Sequence, residues 1–208
     1  MIGLFGGTFD PVHFGHLRPA LDVMEALSLD ELRFIPAHSP PLRGEPVVTS
    51  VQRAEMVKLA IADLPGFVLD SSELEREGPS YTVDTLRFLR KKSGKKIPLV
   101  LLLGSDAFAK LTQWQEWEMI TTLAHIAVMM RPDAALNDDD FPQGWLSQRL
   151  TDSHDLLRAT AAGRITTVAV TRLAISATDI RERLAAGQSI RYLTPAAVCD
   201  YIEVQDLY

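Results

Sequence analysis

Two histidines three positions apart, His13 and His16, follow a turn that reads Gly6-Gly7-Thr8-Phe9-Asp10-Pro11-Val12. On the first turn of a helix that spacing places both imidazoles on one face, and Gly15 between them leaves room there. Adjacent glycines let the backbone approach a phosphate closely, and amides at a helix start favour anionic groups. Imidazoles beside such a turn can donate hydrogen bonds to oxygens that gain charge in a phosphoryl transition state. Each component alone is ordinary. A Gly-Gly turn is weak evidence, an i,i+3 histidine pair is more often a surface accident or partial cap, and two histidines without a third ligand make a poor zinc site. The fused string, at a strand-helix junction, is what points to phosphate chemistry.

A second segment, Ile175-Ser176-Ala177-Thr178-Asp179-Ile180-Arg181, has the same character. Ser176 is a natural N-cap, Thr178 is close by, and Arg181 lies one turn on with a planar fork suited to an anion. By itself this is a capped helix start. Three further segments stand out, one of them able to meet a flat ring and one a carboxylate. Gly104-Ser105-Asp106 follows an apolar run, Trp114 and Trp117 come just after, and Pro79-Ser80-Tyr81-Thr82 precedes a helix. A tryptophan can stack on a flat heteroaromatic ring, although core packing is its commoner use. Amides and the Thr82 hydroxyl can receive a carboxylate, or merely cap the helix. His38, His125 and His154 carry no assignment; solvated or capping roles suit the last two.

Those segments need a scaffold. Short apolar runs at Ile2–Phe5, Leu32–Ile35, Phe67–Leu69, Leu99–Leu103, His125–Met129 and Ile165–Val170 read as strands. Amphipathic stretches lie between them, clearest at Val51–Ala62 and Thr82–Lys91. In the first, Met56, Leu59 and Ala60 share a face, with Arg53, Glu55 and Lys58 elsewhere. Strands separated by helices imply right-handed crossovers and an α/β fold with a doubly wound parallel sheet. Leu99–Leu103 is apolar throughout, as a strand covered on both faces should be. Pro36–Pro46 and Arg131–Gly144 read as loops, the second carrying a solvated acidic run at Asp138–Asp140. The expected organisation is a single domain over 1–208: a Rossmann-like core, 1–172, and a small helical C-terminal subdomain, 173–208.

Composition narrows the class. The chain has 208 residues, 47% hydrophobic and 23% charged, with a formal net charge of -6. That length buries a sizeable core without staples, and the charge argues against a broad nucleic-acid footprint. The single cysteine, Cys199, cannot form an internal disulfide, and its apolar neighbours suggest a buried small residue. The longest apolar run is too short for a membrane span and no basic region precedes the first apolar segment, so a cytoplasmic setting is expected.

The Gly6–Leu17 string resembles the signature of the nucleotidyltransferase superfamily with a (T/H)-x-G-H motif. Residues 175–181 are similar to its second signature, Ile-Ser-x-Thr-x-x-Arg. The resemblance implies a Rossmann-like nucleotidyltransferase fold and an ATP site of Gly6, Gly7, Thr8, Phe9, His13, His16, Ser176, Thr178 and Arg181. His13 and His16 would be the catalytic pair, stabilising departing pyrophosphate with no covalent intermediate, and magnesium would accompany ATP. The Ser-Tyr-Thr, Gly-x-Asp and Trp segments resemble those of bacterial nicotinate-nucleotide adenylyltransferases. By that resemblance Thr82, Gly104, Asp106, Trp114, Arg43 and Arg131 would receive nicotinate mononucleotide. The family's Pro-Pro-His-Lys or Pro-Pro-His-Arg loop reads Pro40-Pro41-Leu42-Arg43 here, so Leu42 replaces its histidine. Rival readings are a pantetheine-phosphate or nicotinamide-mononucleotide adenylyltransferase, or a non-catalytic nucleotide sensor on the same fold. A dehydrogenase is disfavoured because the first turn lacks Gly-x-Gly-x-x-Gly.

Overall fold

Apolar runs flanked by turn residues become strands because a sheet covered on both faces has no polar side to present. In the computed structural model, which describes residues 1–40, 44–130 and 136–208, all six expected runs are strands. They are β1 (Ile2–Gly7), β2 (Glu31–Pro36), β3 (Phe67–Leu69), β4 (Leu99–Gly104), β5 (His125–Met130) and β6 (Ile165–Ala169). The sheet order is β3-β2-β1-β4-β5-β6, with β1–β4, β4–β5 and β5–β6 all parallel. This is the doubly wound order in which the winding reverses between β1 and β4. Every residue of β5 is buried.

The helices are α1 (Phe14–Ala26), α2 (Ser50–Ile61), α3 (Thr82–Ser93), α4 (Ser105–Phe108), α5 (Trp117–Leu123), α6 (His154–Ala159), α7 (Ala177–Ala185) and α8 (Ala196–Val204). Helix α2 starts at a capping box: Thr49 and Gln52 each accept the other's backbone N–H. Its buried face differs from the expected one. Arg53, Ala54, Met56, Val57 and Ile61 are buried, whereas Leu59 and Ala60 are only partly so. The face is rotated because Arg53, far from pointing to water, is among the largest fully buried side chains.

The chain packs as two compact units, each discontinuous in sequence. One comprises residues 1–5, 20–32 and 81–171; the other 6–19, 33–80 and 172–208. Residues 172–208, which include the 173–208 segment expected as a small helical C-terminal subdomain, cluster with the first motif, and α8 packs on α2. In the first unit Trp117, Phe141 and Trp145 form an aromatic cluster, Phe141 stacking on Trp145 with ring centres 4.9 Å apart. His125, for which a solvated or capping role was expected, is instead fully buried in β5. Its Nδ1 accepts the Arg164 N–H at 3.0 Å, so Nε2 carries the proton and donates to the Thr160 carbonyl at 2.8 Å. Burial lowers its pKa and keeps it neutral. His154 is exposed at the start of α6, and Asp138–Asp140 forms an exposed 3₁₀ turn. Cys199 is half-buried rather than buried, and desolvation is the main cause raising its thiol pKa.

Candidate active site

The first motif turns sharply out of β1. Phe9 adopts a left-handed backbone, φ 51°, a strained conformation for a bulky residue. Its ring folds back over Gly7, where a Cβ would lie 2.8 Å from the ring, so any side chain at position 7 would displace it. The same ring packs edge-on against His16, centres 5.1 Å apart. His13 stands just before α1 and His16 in its first turn, so both imidazoles share one side, as their spacing requires. Their ring centres are 3.8 Å apart with a 31° tilt. Two imidazolium charges at that separation would repel. His13 is only 4% exposed, and burial lowers its pKa to about 4, so it is a neutral imidazole at pH 7. Its buried Nδ1 has no hydrogen-bond partner among the described residues. His16 is half-buried.

The second motif meets the first inside the same unit. Ser176 caps α7, its hydroxyl accepting the Asp179 N–H at 3.0 Å. A Cβ on Gly15 would sit 2.9 Å from the Ile175 carbonyl oxygen and 2.9 Å from the His13 ring. Glycine is therefore what allows α1 and the segment leading into α7 to touch. Arg181 donates from Nη1 to the Asp10 carbonyl at 2.6 Å and from Nη2 to the Thr178 hydroxyl at 3.3 Å. The later chain adds two ties: Phe14 N–H donates to the Leu193 carbonyl, and the Thr194 hydroxyl donates to the Val12 carbonyl. All nine residues expected on the ATP side belong to this unit.

Sequence reasoning missed the residues that hold this turn in place. The Arg53 guanidinium, 1% exposed, donates to the carbonyls of Thr8 (2.6 Å), Ala37 (2.6 Å) and His38 (3.3 Å). One buried cation thereby joins the Gly6–Asp10 turn to the proline-rich segment. The available signal was its position three and four residues before Met56 and Val57, on their face. Asp10 is also buried; its carboxylate accepts from Val47 N–H and from the Tyr208 hydroxyl. Ser80 accepts the N–H groups of both His38 and Ser39, so its hydroxyl braces the proline-rich segment instead of capping α3.

Thr82, Gly104, Asp106 and Trp114 all belong to the other unit. Thr82 opens α3, whose N-cap residue, Tyr81, makes no side-chain capping bond, so the simple-cap alternative is not realised. Gly104 ends β4, and a Cβ there would meet nothing within 4 Å. Asp106 is exposed in α4. The two tryptophans part company: Trp117 joins the aromatic cluster, whereas Trp114 is half-buried and has no aromatic ring partner among the described residues. Glu116 takes a left-handed backbone, φ 47°, and pairs bidentately with Arg87 of α3 at 2.9 and 2.5 Å. That pair ties the turn after Trp114 to the helix Thr82 begins. Arg43 and Arg131 lie outside the described residues, as does Leu42.

A cytidylyltransferase-like family model matches residues 4–183. A probable nicotinate-nucleotide adenylyltransferase of Dechloromonas aromatica is 51% identical, the match covering 100% of this chain and 97% of that protein. The chain belongs to the nicotinate-nucleotide adenylyltransferase family. A second member, from Pseudomonas syringae pv. tomato, is 46% identical over 100% of this chain and 93% of its own. The family fold also appears in a Plasmodium falciparum nicotinic acid mononucleotide adenylyltransferase complexed with NaAD. Its TM-score is 0.73 over 100% of this chain and 96% of that one; at 16% identity the likeness is one of fold.

Proposed function

We propose that this chain transfers the adenylyl group of ATP to the 5′-phosphate of nicotinate mononucleotide, releasing pyrophosphate and nicotinate adenine dinucleotide for NAD biosynthesis. The convergence of the two motifs carries the reading: the Ile175 carbonyl and the His13 ring both lie against Gly15, and Arg181 donates to the Asp10 carbonyl. The backbone of Gly6, Gly7, Thr8 and Phe9 would hold ATP with His13, His16, Ser176, Thr178 and Arg181. Thr82, Gly104, Asp106 and Trp114, with Arg43 and Arg131, would hold the mononucleotide.

The chemistry follows from charge and position. A phosphate monoester has its second pKa near ~6, so the attacking group is already anionic at pH 7 and needs no general base. It attacks the α-phosphorus in line; the α–β bridging P–O bond breaks, and the electron pair leaves on pyrophosphate. Catalysis is then mostly alignment and stabilisation of the charge developing on the leaving group. His13, neutral at pH 7, contributes an N–H donor, and Arg181 a planar positive fork. Magnesium belongs to the proposal as the companion of the triphosphate. Among the described residues no group of three or more His, Cys, Asp or Glu is placed to hold a metal ion. Its ligands here would be phosphate oxygens and water, and no step is assigned to it.

Preference for nicotinate rests on the start of α3, where no side-chain cap competes with a carboxylate for the first amides. A cytoplasmic setting is part of the same reading; among the described residues no helix is long and apolar enough to cross a membrane. The test is pyrophosphate release with ATP and magnesium against nicotinate mononucleotide, nicotinamide mononucleotide and pantetheine phosphate in parallel. Turnover led by the first supports the assignment; preference for either other acceptor, or none for any, defeats it.

A further inference from the structure

We infer that Tyr208 is a positioning residue for ATP, engaging the Asp10 carboxylate so that it does not draw Arg181 away from the triphosphate. The inference rests on the ATP site proposed above. Its starting point is the crowding around Asp10. That side chain is 6% exposed and faces two guanidinium groups, Arg53 and Arg181. Oδ2 accepts the Val47 N–H at 2.9 Å, and Oδ1 accepts the Tyr208 hydroxyl at 2.7 Å. Arg181 Nη1 lies 4.0 Å from Oδ2 and bonds instead to the Asp10 backbone carbonyl at 2.6 Å.

Arg181 thus stands beside a carboxylate without closing a tight ion pair on it. An unengaged carboxylate oxygen here would draw in the nearest cationic side chain able to move, because a buried charge left unpaired is costly. Arg53 is 1% exposed and locked in place by three backbone carbonyls, with only its Nε unpartnered among the described residues. The Arg181 side chain, by contrast, is 28% exposed and is the guanidinium with room to swing. A guanidinium pulled onto Asp10 is a guanidinium lost to the triphosphate. The Tyr208 hydroxyl prevents that swing by occupying Oδ1. Burial and the neighbouring carboxylate push the phenol pKa far up, so the hydroxyl keeps the proton it donates.

The test compares wild type, Tyr208→Phe and the double variant Asp10→Asn/Tyr208→Phe. Each is assayed for pyrophosphate release with varied ATP and then varied nicotinate mononucleotide, with thermal midpoints alongside. Losing a hydrogen bond to a charged group predicts a rise of roughly tenfold in KM for ATP in Y208F. The mononucleotide KM and kcat should stay within about threefold of wild type, because the lost contact lies on the ATP side. Adding D10N removes the competing negative charge and should return KM for ATP to within about threefold of wild type, a coupling that packing loss would not produce. An unchanged ATP KM in Y208F, an equal rise for both substrates, no rescue by D10N, or failure of Y208F to fold would each overturn the inference. A wild type that releases no pyrophosphate would defeat the proposed function itself, so the two failures are distinguishable.

Discussion

Gly15→Ala perturbs the junction on which the site depends, and its consequences can be worked out from distances. The added Cβ would lie 2.9 Å from the Ile175 carbonyl oxygen and from His13 Nδ1 and Cε1, where ordinary contact begins at 3.4 Å. About half an ångström of movement is needed, and one of the two obstacles is backbone, so α1 and the start of α7 must separate. Overpacking of this kind costs ~1–3 kcal/mol, while replacing glycine by alanine within a helix recovers about 1 kcal/mol. The net loss of roughly 0–2 kcal/mol lowers the melting temperature by at most several degrees for a chain of this size. Activity should respond far more. Displacement by up to ~1 Å of groups that align a reaction costs about 100-fold in rate. The assay pairs kcat from pyrophosphate release with a calorimetric melt. A folded Gly15→Ala protein whose kcat stays within twofold of wild type would refute the idea that close approach of the two motifs is what the glycine secures.

Three other outcomes are expected. His16→Ala should lower kcat by ~100-fold or more with the melting temperature little changed, as for removal of one donor to a developing oxyanion; near-normal turnover would remove the histidine from the mechanism. His13 has a folded pKa of about 4 against an ordinary 6.5, so its contribution to stability is complete above pH 6.5 and lost as pH falls towards 4. Urea titrations of wild type and His13→Asn at pH 7 and pH 4 should show the gap between them shifting by about 3 kcal/mol against wild type at the acid end, and a constant gap would contradict its burial. Trp114→Ala should raise the mononucleotide KM by roughly tenfold with little effect on stability, whereas Trp117→Ala should cost ~3–5 kcal/mol of stability through the aromatic cluster. Equal effects from both tryptophans would erase the distinction drawn between them.

The sequence by itself determined what depends on near neighbours. Six apolar runs became strands within one or two residues of their expected ends, because a strand buried on both faces must be apolar at successive positions. Ser176 caps α7 because its hydroxyl needs only the amide three residues on, and the glycine at 187 takes the positive φ suited to a helix stop. The Gly6–Leu17 and Ile175–Arg181 strings were visible for the same reason: each is local in sequence. Tertiary structure alone decided which side chains hold those strings in place. Arg53 was expected away from the buried face of α2 and His125 in a solvated or capping role, yet their carbonyl partners pay for burial that no local pattern announces. Arg53 reaches back 45 positions to Thr8, and Tyr208 meets Asp10 across 198. A polar residue is stable inside a protein only when its partners surround it, and chain folding, not periodicity, brings such distant partners together.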